Sequence, residues 1–137
     1  MASGKTLTIS LMDPPYESET TTTVLRIIDA ALRRGHNVNV FAYEGAVALP
    51  LKTQAAHPNP VKGTTAEEQH HPTTSGFISA LFEAARAGGA KLDWVNCGLC
   101  VDERGATDWI EGVRRGGPAD FVKMAQESTN TLVIGTR

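Results

Sequence analysis

The stretch Thr6–Tyr43, TLTISLMDPPYESETTTTVLRIIDAALRRGHNVNVFAY, decides the fold. Thr6 to Met12 is a β-branched and apolar run, and it stops at Asp13-Pro14-Pro15, where proline has no N–H to give to a ladder. From Val24 the apolar residues fall at Val24, Leu25, Ile28, Ala31 and Leu32, the spacing of one helix face. That helix closes on Arg33, Arg34 and a terminal Gly35. Asn37 to Tyr43 alternates and reads as a second strand. Strand, helix and strand of these lengths make a βαβ crossover, which is right-handed and feeds a parallel sheet.

Outward from this unit, Phe77, Ile78, Leu81, Phe82 and Ala85 repeat at helical spacing and stop at Gly88-Gly89. Leu92 to Asn96 reads as a third strand and Trp109 to Val113 as a short fourth. Pro118 suits the first position of a helix carrying Phe121, Val122 and Ala125, and Thr131 to Ile134 closes the sheet. The resulting order, βαβ, loop, αββαβ, predicts an α/β fold: a three-layer α/β/α sandwich around a mainly parallel five-stranded sheet. It is expected to be a single domain over residues 1–137. A polar loop at about 50–75, with Pro50, Pro58, Pro60 and Pro72, shows neither periodicity and is read as a mobile lid or a disordered segment.

Composition narrows the function classes. The chain has 137 residues, 41% of them hydrophobic, which suffices for an ordinary core and argues against global disorder. Thirteen Lys and Arg against fifteen Asp and Glu leave a net charge of −2, with no dense basic cluster, so nucleic acid is not expected as a partner. The apolar runs fall far short of the ~20 residues that cross a bilayer, and the amino terminus lacks a charged segment followed by an apolar one. No membrane association and a cytoplasmic location are therefore expected.

Ligands of open α/β sheets bind at the carboxyl ends of the strands, so the residues just after each strand are the candidates. The first strand delivers Asp13, Tyr16 and Glu17, the second Tyr43 and Glu44, and the third Cys97, Gly98 and Cys100. Cys97 and Cys100 are the two cysteines of the chain, too few for a disulfide framework. A thioredoxin-like CxxC would open a long helix, which Gly98, Leu99 and the Arg104-Gly105 step argue against. A structural zinc site would need His70 and His71 as further ligands, and adjacent side chains do not easily reach one tetrahedron. A single reactive thiol with Arg104 as a nearby cation fits better, beside the plainer reading of Cys97 as a small buried hydrophobe. Asp13 and Glu17 serve either as acid/base groups or as turn and capping residues. Gly4-Lys5-Thr6 is not a phosphate loop, and no dinucleotide fingerprint opens a helix.

Four segments, DPPYESE, LRRGHNVNVFAYEGAV, CGLCVDERG and WIEGV, occur in this order and together resemble the DsrE/DsrF-like family. The similarity runs from Thr6 to Ile134, interrupted by the 50–75 segment. The resemblance implies a five-stranded α/β/α domain that assembles into homotrimers or homohexamers. It also implies cytoplasmic sulfur trafficking of the DsrEFH and TusBCD kind, with a TusA-like carrier as a partner. Counted from Arg104-Gly105, the family's sulfur-carrying cysteine falls on Cys97, and Cys100 belongs to the CxxC form of that loop.

The expected function is thus that of a sulfurtransferase or sulfur-carrier subunit. Cys97 would bear a persulfide, Cys100 would assist or resolve, and Asp13, Tyr16, Glu17 and Tyr43 would line the substrate pocket. No metal or organic cofactor is needed, because a thiolate takes sulfane sulfur by direct attack on sulfur. Two other classes stay open: a non-enzymatic oligomeric module that binds a small ligand, and a CxxC thiol redox protein in which Cys100 releases sulfide from Cys97.

Overall fold

The computed structural model describes residues 4–57, 63, 65 and 73–136. Five strands, β1 (Thr6–Leu11), β2 (Asn37–Ala42), β3 (Leu92–Cys97), β4 (Val113–Gly116) and β5 (Asn130–Val133), form one sheet in the order β4-β3-β2-β1-β5. Every neighbouring pair is parallel. Parallel pairs need crossovers, and four helices supply them: α1 (Thr20–Arg33), α2 (Thr74–Ala87), α3 (Gly98–Arg104) and α4 (Pro118–Glu127).

One sheet face is apolar. Ile9, Leu11, Val38, Val40 and Trp94 pack against Val24, Leu25, Ile28 and Leu32 of α1 and Ile78, Leu81 and Ala85 of α2. Side chains buried to this degree stabilise the fold by about 1.5–3 kcal/mol each. The opposite face is polar where β1 and β2 begin, with Thr8 and Asn39 hydrogen-bonded to each other at 3.2 Å. It turns apolar toward the carboxyl edge, where Phe41, Val95, Cys97, Cys100, Val101 and Met124 form a second cluster.

The α1 terminus forms as its residues dictate. Gly35 adopts φ +78, and the amides of Gly35 and His36 donate to Leu32 and Ala31. The helix begins earlier than its apolar stripe, at Thr20, because Thr21 is drawn into the interior. Likewise α2 begins at Thr74, with the Thr73 hydroxyl capping the amide of Gly76 at 3.1 Å.

Two sequence expectations are corrected. Trp109 to Val113 is not a strand: Trp109 pairs in an isolated antiparallel bridge with Leu51, Gly112 turns the chain at φ +100, and β4 starts only at Val113. The expected order also placed the third and fourth strands in succession, whereas α3 lies between them. Gly98 and Gly105 do not break a helix there. They bound one, Gly98 as its first residue and Gly105 as its left-handed cap at φ +61.

The start of the polar 50–75 segment is tied down by side-chain and backbone bonds. Gln54 donates to the carbonyls of Ala48 and Leu49 and to the Thr74 hydroxyl, while Lys52 N–H donates to Asp108 O. Most of the rest of that segment, with Pro58, Pro60, His70, His71 and Pro72, lies outside the described residues.

Candidate functional site

The strand register brings the exits of β1, β2, β3 and β4 to one edge: Leu11 sits beside Ala42, Ala42 beside Asn96, and Cys97 beside Gly116. Cys97 is at once the last residue of β3 and the cap of α3, and Cys100 follows in the first turn of that helix. Three residues along a helix is one turn, so the two thiols are neighbours. Both are buried, with 6% and 7% of their surface exposed. Leu99 between them is 71% exposed, an unusual placement for leucine.

The electrostatics of Cys100 follow from that burial. Loss of solvent pushes the Cys100 thiol above the ordinary thiol range, and the adjacent Cys97 pushes the same way, against the Glu44 amide, which donates to Sγ at 3.0 Å. Glu44 itself occupies the left-handed region, φ +50. Its carboxylate accepts from Arg104 at 3.1 Å, and Arg104 also donates to the Cys100 carbonyl at 3.4 Å.

Arg104 is the cation expected beside Cys97, and its partners in the structure are Glu44, Glu103 and the Cys100 carbonyl. The guanidinium next to the Cys97-Gly98 step belongs to Arg115. Asp102 accepts from its Nη1 and Nη2 at 3.0 and 2.7 Å, a bidentate pair. These hydrogen bonds hold the Asp102 carboxyl below, and Arg115 above, their ordinary ranges. In the sequence Arg115 is simply one of two adjacent arginines before a glycine pair. Its position at the end of a strand was the signal available.

The other candidates divide into two groups. Tyr43 joins the cysteine cluster: it stacks on Phe41 with ring centroids 5.6 Å apart, and its hydroxyl points at Met12 Sδ at 3.5 Å. Asp13, Tyr16 and Glu17 lie on the neighbouring loop. Asp13 accepts from the Ser18 hydroxyl at 3.1 Å, and Ser18 in turn accepts from the Thr20 amide at the start of α1. Tyr16 is 59% exposed and sets its ring edge-on to His57 at 5.5 Å. That loop reaches the β2 exit through Pro14, whose ring fills the space a side chain at Gly45 would need, 2.9 Å from such a Cβ. Among the described residues no group of three or more His, Cys, Asp and Glu is placed to hold a metal ion, and no helix is long and apolar enough to cross a membrane.

Comparisons with known proteins agree with this architecture. Residues 5–134 match the DsrE/DsrF-like family. An uncharacterized protein of Methanopyrus kandleri is 30% identical over 128 residues, which span 92% of this chain and 91% of that protein. The crystal structure of the YchN protein of E. coli superposes with a TM-score of 0.70 at 19% identity, covering 95% of this chain and 99% of that one.

Proposed function

The chain belongs to the DsrE/DsrF-like family, and from that premise we propose that it is a cytoplasmic sulfur-trafficking protein whose Cys97 accepts and passes on sulfane sulfur as a persulfide. Membership in the family suggests a sulfur-relay role in general. The observation that carries the finer reading is the pairing of Cys97 at a strand exit with a Cys100 thiol whose proton is held more tightly than usual.

The transfer balances without a redox partner. The Cys97 thiolate attacks the outer sulfur of a donor persulfide, the S–S bond of the donor breaks, and its electron pair leaves with the donor thiolate. Delivery is the same step in reverse order, with an acceptor thiolate attacking the terminal sulfur on Cys97. Burial holds the Cys100 proton and makes its thiolate scarcer, which disfavours discharge of the persulfide as sulfide. This favours relay over reduction. Tyr43 forms the apolar wall of the pocket, and Asp13, Tyr16 and Glu17 form its outer rim.

We propose the homotrimeric or homohexameric assembly that the family resemblance implies, with the far edge of the sheet as a surface it could use. All four residues of β5 are exposed, with Val133 at 66%, and Val122 of α4 is 54% exposed. An edge strand presents unpaired N–H and C=O groups, and β5 adds the exposed Leu132 and Val133, so this edge is compatible with self-association. A TusA-like carrier is the proposed acceptor.

The test is to incubate the reduced protein with a sulfane-sulfur donor and read intact and peptide masses. One added sulfur on the Cys97 peptide is expected, lost in Cys97→Ser and kept in Cys100→Ser. A folded protein that gains no sulfur from any donor would end this reading. Loss of two hydrogens without added sulfur would instead mark a CxxC redox protein.

A further inference from the structure

We propose that Arg115, pinned by Asp102 and seated on Gly98, is the specificity-determining residue that favours an anionic sulfur donor at Cys97. This rests on the sulfur-transfer reading and names the charge class of its substrate.

The placement is specific. A Cβ at position 98 would lie 2.7 Å from Arg115 Nε and 2.8 Å from both Cζ and Nη2, so the guanidinium lies directly on the backbone of the residue after Cys97. Only glycine leaves that space. Asp102 uses two of the five N–H groups of the guanidinium, one from Nη1 and one from Nη2. No partner among the described residues engages Nε–H. The side chain is 50% exposed, so an approaching solute can meet it. The Cys97 charge is close enough to favour the protonated guanidinium, after the larger effect of Asp102. Arg104 is engaged by Glu44 and Glu103 and by the Cys100 carbonyl, and among the described residues no contact of its guanidinium with Gly98 competes with that of Arg115.

The chemistry supplies a reason for a cation here. A persulfide donor meets the Cys97 thiolate as one anion meeting another, and the donor thiolate departs carrying the electron pair. A fixed positive charge beside the meeting point offsets the repulsion without gaining or losing a proton. Asp102 fixes its direction and leaves one edge of the guanidinium for the incoming anion.

Charge selection is read by comparing iodoacetate, an anion, with iodoacetamide, its neutral analogue, at one pH, by quantifying the modified Cys97 peptide. Any change in Cys97 ionisation multiplies both rates equally and cancels in their ratio. Arg115→Gln should lower the iodoacetate-to-iodoacetamide ratio by roughly threefold or more, an effect that added salt reproduces in the parent protein. Arg115→Lys should keep most of the ratio. Gly98→Ala should lower it as well, since the new methyl displaces the guanidinium while alanine suits a helix start. An unchanged ratio in Arg115→Gln overturns the proposal, and so does a parent protein in which neither reagent reaches Cys97. A normal ratio in a protein that takes up no sulfane sulfur would sink the relay reading while leaving the anion preference standing.

Discussion

The amide of Glu44 donates to the sulfur of Cys100 across 3.0 Å, a bond between residues 56 apart in the chain. It joins the exit of β2 to the first turn of α3, at a residue that itself adopts φ +50. One link therefore couples the backbone of one crevice loop to the ionisation of a thiol on the next.

The Cys100 thiolate should form above the ordinary thiol range, visible as the onset of ultraviolet thiolate absorbance in Cys97→Ala. Removing Cys97 also removes its upward push, so that onset should still lie high, because burial is the larger cause, yet lower than in the parent. For stability the sign is that of a raised pKa. The contribution is present below the unfolded thiol's value of about 8.5 and is lost as pH rises through the folded value. Cys100→Ala should flatten the alkaline limb of a stability curve, and an unaltered limb would contradict the assignment.

Asp120 behaves oppositely. Its carboxylate accepts from the Gly117 amide at 2.8 Å at the start of α4, and Arg114 stands 3.5 Å from its other oxygen. The amide first and the arginine second hold it below the ordinary carboxylate range. Its contribution is present above the unfolded value of about 3.9 and disappears as pH falls through the folded one. Asp120→Ala should cost about 0.5–1 kcal/mol at neutral pH, the low end for a helix cap because the group is partly solvated. In strong acid the variant and parent should converge.

Asn96 is fully buried, and it accepts from the Trp94 indole at 3.1 Å while donating to the Val47 carbonyl at 3.0 Å. Asn96→Ala strands both partners in the interior and should destabilise by about 2–4 kcal/mol in urea unfolding. A loss under about 1 kcal/mol would mean that water enters to replace the amide.

Gly112 sits at φ +100, and a Cβ there would meet the Phe82 ring at 2.9 Å. Gly112→Ala should cost about 1–3 kcal/mol and loosen the turn into β4, lowering the melting temperature without altering sulfur uptake. Equal stability of parent and variant would refute the strain.

The exposed edge at β5 gives the assembly prediction. Val133→Lys should shift the protein toward monomer in sedimentation or light scattering at unchanged secondary structure, because a desolvated ammonium is costly in an apolar contact. A parent protein that is monomeric at all concentrations would dismiss the proposed trimer or hexamer.

Much of the fold was legible because its signals are local. The βαβ unit from Thr6 to Tyr43, the Gly35 terminus and the Pro118 helix start each depend on residues within one or two turns of each other. The CxxC pair was equally plain, since three residues along a chain is a local spacing. What escaped was decided at a distance. Trp109 pairs with Leu51 and not with the sheet, and the short α3 persists because Cys100 and Val101 bury against Phe41 and Val95, a packing no propensity of Gly98 or Leu99 reveals. Arg104 and Arg115 both come after the cysteines, and sequence spacing chose the nearer one. Parallel pairing of β4 beside β3 brings the more distant arginine alongside Gly98, while Arg104 pairs with Glu44. The sequence by itself determined the alternation of strands and helices and the two thiols one turn apart, because backbone geometry is set by neighbours. The tertiary structure alone decided which charge stands beside Cys97, because Coulomb interactions act through space and only the folded sheet sets those distances.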